Sequence, residues 1–138
     1  MLILKRFCGD EIYPLANANW CISGGELKID MRFSRGTQLH EDTKYLAEEP
    51  SWWIYFSNIT DDSILKKGLV LENSNESEDD AFLYYCEHNP TYHNRLEILD
   101  RINDQLLIRL SAVCCDVNYY DGSKGTNKME ITAWISQK

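Results

Sequence analysis

Residues 26–33 read Glu-Leu-Lys-Ile-Asp-Met-Arg-Phe, and this segment constrains the fold more than any other. Leu27, Ile29, Met31 and Phe33 alternate with Glu26, Lys28, Asp30 and Arg32. Successive side chains of an extended strand point to opposite faces, so a period of two sends one face to a core and the other to water. The turn formers Ser23-Gly24-Gly25 come just before it, which makes Trp20-Cys21-Ile22 the partner strand of a hairpin.

The same pattern recurs towards the carboxyl end. Leu106, Ile108, Leu110, Ala112 and Cys114 occupy every second position, and Met129, Ile131, Ala133 and Ile135 do so again with Glu130, Thr132 and Trp134 between them. Residues 96–102 fit two templates. Leu96, Ile98 and Ile102 alternate except at Asp100, while Leu96, Leu99 and Ile102 also match a period near 3.6. Asn103-Asp104 is turn chemistry and the stretch after it alternates cleanly, so a hairpin is the better reading. Residues 52–57 and 81–87 are aromatic-rich runs of strand length, and residues 69–71 form a shorter one.

Two pieces carry helical signals. Residues 61–68 begin with two acids, end with Lys66-Lys67 and are closed by Gly68, which suits the helix dipole and a left-handed cap. Residues 43–49, stopped by Pro50, read as a further turn or two. Residues 72–80, Glu-Asn-Ser-Asn-Glu-Ser-Glu-Asp-Asp, read as a solvated loop between strands. The βα alternation of a nucleotide-binding sheet is missing. The expectation is therefore a single domain over residues 1–138, mainly β, built as an antiparallel β-sandwich or open barrel. It should hold seven to nine strands with one or two short helical segments.

Charge narrows the partners. The chain has 14 Lys and Arg against 22 Asp and Glu, a formal net charge of −8. Such a field repels phosphate backbones and anionic lipid, which argues against nucleic-acid and membrane partners. It attracts a basic protein and speeds its approach. Met1 to Phe7 lacks the long apolar run of a signal peptide or membrane span. Five cysteines (Cys8, Cys21, Cys86, Cys114 and Cys115) form an odd, irregular set that suits reduced thiols and a cytoplasmic location. Nothing in the pattern sets an oligomeric state.

Catalytic motifs are scarce. No Gly-x-Ser-x-Gly elbow occurs, and Gly122-Ser123-Lys124-Gly125-Thr126 lacks the frame of a phosphate-binding loop. Cys86, His88 and His93 lie within eight residues and are all zinc-ligand types, but Cys-x-His-x4-His is not a ligand frame and no paired Cys-x-x-Cys anchors it. No cofactor and no enzymatic activity are implied.

Three aromatic doublets remain: Trp52-Trp53, Tyr84-Tyr85 and Tyr119-Tyr120. In a strand each doublet puts one ring inward and one outward, and outward Trp and Tyr are favoured interface anchors. The expected function is a small acidic binding protein, such as an immunity or inhibitor protein that neutralises a basic toxin or another basic protein. Its expected contact residues are Trp53, Tyr85 and Tyr120 with the acids Glu76, Glu78, Asp79 and Asp80. The alternatives are a carbohydrate- or small-ligand-binding protein using Trp52 or Trp53 with Tyr119 or Tyr120, and a metal-binding protein using Cys86, His88 and His93.

Overall fold

The computed structural model describes residues 1–46 and 49–138. It contains the strands β1 (Leu2–Arg6), β2 (Gly9–Tyr13), β3 (Leu15–Ser23), β4 (Glu26–Phe33), β5 (Ser51–Ser57), β6 (Val70–Asn73), β7 (Ala81–Tyr85), β8 (Glu87–Pro90), β9 (Tyr92–Ile102), β10 (Gln105–Cys115) and β11 (Thr126–Gln137). Nine of them pair in the order β6-β9-β10-β11-β3-β4-β5-β7-β8, and the sheet curls into a half-barrel around one apolar core. The mainly-β expectation holds in its open-barrel form. All neighbours run antiparallel except β11 and β3, which pair in parallel through Ser136–Asn19 and Gln137–Trp20. Elsewhere these two strands diverge, and β1 lies against the first half of β11 with β2 beside it.

Alternation sets the inner face. Leu27, Ile29, Met31 and Phe33 of β4 are buried, as are Trp52, Ile54 and Phe56 of β5 and Leu106, Ile108, Leu110 and Cys114 of β10. The β3–β4 turn places Gly24 and Gly25 at φ 61° and 76°, the left-handed conformation a two-residue hairpin turn needs. Curvature comes from irregularities in the ladders. The β9–β10 register shifts between Leu107 and Ile108 and again between Ser111 and Val113, and a bulge of this kind bends and twists a strand. The first shift explains why Asp100 interrupts the pattern of β9: Leu99 is the extra residue.

The helical expectations contract. Residues 61–68 form only a 3₁₀ turn over Asp62–Ile64, with the Asp61 carboxylate accepting from the Ser63 amide at its start. Two turns without an apolar stripe cannot recover the cost of nucleating an α-helix. Residues 41–45 form turns, and the rest of the second expected helix includes Ala47 and Glu48, which lie outside the described residues.

The acidic loop differs from a purely solvated one. Asn75 is buried in a left-handed conformation (φ 60°). Its Nδ2 donates to the carbonyls of Ala81 and Thr91, each at 2.9 Å, while its Oδ1 accepts from the Asp80 amide. Asn73 Nδ2 donates to the Tyr55 carbonyl at 2.7 Å. These amides substitute for a ladder where β6 and β9 approach β5 and β7, and they fix residues 76–80 against the end of β5.

Candidate functional site

The outer face of β5, β7 and β8 forms a continuous row of rings, flanked by the polar outer face of β4. Asp30 pairs with Trp53, Trp53 with Phe82 and Phe82 with Pro90; one step along, Ser51 pairs with Tyr84 and Tyr84 with His88. Side chains directly opposite on adjacent strands interact, so the rings touch. The Trp53 ring centroid is 4.9 Å from those of both Tyr55 and Phe82, and His88 lies 5.8 Å from Phe82 and 5.1 Å from Tyr84. Tyr84 is 41% exposed, while Trp53, Tyr55 and Phe82 are half-buried. Lys28 Nζ sits 5.1 Å above the Tyr55 ring.

The acidic loop adjoins one end of this row. The Tyr55 amide donates to the Asp80 carbonyl at 2.8 Å, and Glu76, Glu78 and Asp79 are exposed just beyond. Glu78 accepts from the Tyr92 hydroxyl at 3.0 Å, and Asp80 from Asn73 Nδ2 at 3.3 Å. Five acid–aromatic members of the expected contact set are thus neighbours: Trp53, Glu76, Glu78, Asp79 and Asp80.

Two members are placed differently. Tyr85 is fully buried and the ring that faces out is Tyr84. Ala81, Leu83 and Tyr85 point inward, and because the outward pair of Phe82 and Tyr84 is equally apolar, polarity gave no sign of the register. Tyr120 lies in the β10–β11 loop, half-buried, with its hydroxyl donating to the Tyr85 carbonyl, so it abuts the far end of the row without joining it. Its neighbour Tyr119 packs edge-on against Phe7 at 5.7 Å.

The proposed metal residues do not converge. Among the described residues no group of three or more His, Cys, Asp or Glu side chains is arranged to hold a metal ion. Cys86 interrupts the run of residues 81–87 that reads as one strand: it is exposed at φ 65° where β7 reverses into β8. Asn89 and Pro90 lie within β8. His93 occupies the second β9 bulge at φ 52°.

A second constellation went unread in the sequence. Arg6 points into the fold with three carboxylates around it. Its Nε and Nη2 donate to Asp116, each at 2.9 Å, Nη1 and Nη2 donate to Asp42 at 2.9 and 2.7 Å, and Nη1 donates to Glu11 at 3.0 Å. The side chains of Arg6, Glu11 and Asp116 have no solvent exposure, and that of Asp42 has 25%. Glu11 also accepts from the Thr43 hydroxyl, the His40 amide and, at 2.6 Å, the Tyr13 hydroxyl. The Tyr13 and Tyr85 hydroxyls are 2.8 Å apart.

Hydrogen bonds from Arg6 hold the Asp42 carboxyl below its ordinary value. Burial pushes the Asp116 carboxyl up, but Arg6 and the Asn118 amide outweigh it and the net direction is down. Burial and the bond to Glu11 raise the Tyr13 hydroxyl, which stays protonated. With its hydrogen-bonding capacity spent internally, the cluster ties the β1–β2 hairpin to residues 40–43 and to the β10–β11 loop. It is a clamp.

No protein family, curated protein or solved structure matches this chain. Among the described residues no helix is long and apolar enough to cross a membrane.

Proposed function

We propose that this chain is an acidic binding protein that docks a basic protein partner on the outer face of β5, β7 and β8, in the manner of an immunity or inhibitor protein that occludes a toxin. One observation carries the reading: outward Trp53, Tyr55, Phe82 and Tyr84 are contiguous and run directly into the acidic residues 76–80. Aromatic side chains near the centre of an interface supply most of its binding energy, and rim charges mainly set the encounter rate. Strands β5 and β7 hold the rings rigidly, so little entropy is lost when they are covered. The net charge of −8 extends the attraction beyond contact range. The encounter belongs in the cytoplasm, where the exposed Cys8 and Cys86 thiols remain free.

The test is a paired capture from the producing cell, with wild type and Trp53→Ala/Tyr84→Ala as baits. A basic protein retained by the first bait and absent from the second supports the reading. Retention of the same proteins by both baits, or of acidic ones only, refutes it.

A further inference from the structure

The outer faces of β3 and β4 continue the aromatic row as a polar strip. Three cross-strand rows are set by register: Cys21–Lys28–Tyr55, Asn19–Asp30–Trp53 and Asn17–Arg32–Ser51. Trp53 therefore stands as a wall beside a floor of amides and alternating charges. Two depressions flank it and share both Trp53 and Asp30. One, of about 270 Å³, is bounded by Asn19, Lys28 and Tyr55, and the other, of about 480 Å³, by Asn17, Arg32 and Ser51.

The chemistry of this strip selects its ligand. The first depression is lined by Lys28 and Lys138 against Asp30, and the second by Asp30 and Glu49 against Arg32, so a phosphate meets two acids in the second and a cationic side chain meets two lysines in the first. Neither strongly charged class fits both depressions. Sugar hydroxyls each donate and accept, and Asn17, Asn19, Asp30, Arg32 and Ser51 supply both roles side by side. The ring of a pyranose presents a face of C–H groups, which an indole π-face attracts. Side chains two apart on one strand are about 7 Å apart, so Asp30 and Arg32 address neighbouring units of a chain laid along β4. Since β4 is an interior strand hydrogen-bonded on both sides, the strip is formed before any ligand arrives.

We propose that the two depressions are adjacent subsites for a neutral oligosaccharide, with one pyranose against the Trp53 indole, hydroxyls bound by Asn19 and Asp30 on one side and by Asn17, Arg32 and Ser51 on the other. This does not depend on the basic-partner reading. The two surfaces share Trp53 and Tyr55, but the saccharide strip extends over β3 and β4 and the protein-docking surface over β7, β8 and the acidic loop.

The test titrates the intact protein with neutral gluco-, manno-, galacto- and N-acetylhexosamine di- to tetrasaccharides, following indole and amide NMR signals. At least one sugar should give saturable shifts at Trp53 and at the amides of residues 19, 30 and 32, with a dissociation constant of about 1 mM or tighter. Affinity should fall at least tenfold in Asn19→Ala and in Trp53→Ala and stay unchanged in Glu76→Gln/Glu78→Gln/Asp79→Asn. Asn19→Ala carries the comparison if Trp53→Ala does not fold. No response to any sugar, shifts equally large at the remote Trp134 indole, or full affinity in Asn19→Ala overturns the proposal.

Discussion

Replacing Arg6 by Met removes five charge-assisted hydrogen bonds to carboxylates and leaves Glu11 and Asp116 buried without a counter-ion. Breaking a buried ion pair from one side costs about 3–5 kcal/mol, because the orphaned charge keeps its desolvation penalty. Asp42 adds little, since water reaches it and screens its pairing. With a urea m-value of about 2 kcal/mol/M, the unfolding midpoint should fall by about 2 M. Emission from the buried Trp20 and Trp52 reports the transition.

The pH dependence is more diagnostic than the loss itself. In the wild type the Asp42 and Asp116 carboxyls are depressed, so their contribution is fully present above the unfolded value of about 3.9 and is lost as pH falls through the lower folded values. Their contribution should be flat from pH 7 to 5. In Arg6→Met, burial of Asp116, the largest influence on it, is opposed only by the Asn118 amide and Asn127, so its folded value rises and protonation relieves the strain. The deficit should therefore shrink between pH 7 and 5. A deficit under about 1 kcal/mol at pH 7, or one that widens on acidification, refutes the clamp.

Other outcomes follow from the same structure. Asn75→Ala strands the Ala81 and Thr91 carbonyls and strains a left-handed position, so it should cost about 2–4 kcal/mol by chemical denaturation; Asn75→Gly, free of the strain, should lose measurably less. In the native protein Cys8 and Cys86 should react with a thiol reagent, whereas Cys114, fully buried with its thiol pushed up to about 12, should react only on unfolding. Against the captured partner, Trp53→Ala should cost about 2 kcal/mol or more, and Glu78→Gln under about 1 kcal/mol, by calorimetry.

How far the chain could be read depended on whether a strand's inner face was purely apolar. β4, β10 and β11 announce themselves because every inward residue over most of their length is hydrophobic. β1 and β2 do not, since Arg6 and Glu11 hold core positions and break the pattern. Leu2, Leu4, Arg6 and Glu11, Tyr13 do keep period two if an inward Arg–Glu pair is admitted, and that was the one available signal. Asp116 joins Arg6 across a sequence separation of 110, which no local pattern encodes. Trp53 was legible because Tyr55 shares its face while Trp52, Ile54 and Phe56 share the other. Tyr84 was not, for want of any polar residue in β7. Asn17, Asn19, Asp30 and Arg32 passed as an ordinary wet face, because their meaning rests on strand β5 supplying Trp53 alongside them.

The central claim is that negative charge steers a basic partner onto the ring row. It is tested most directly by the association rate of that partner across ionic strength, for wild type and for Glu76→Gln/Glu78→Gln/Asp79→Asn. The rate for wild type should fall about tenfold or more between 0.02 and 0.5 M salt, with dissociation little changed, and the variant's slope should be shallower. Equal slopes, or an association rate indifferent to salt, contradict the account.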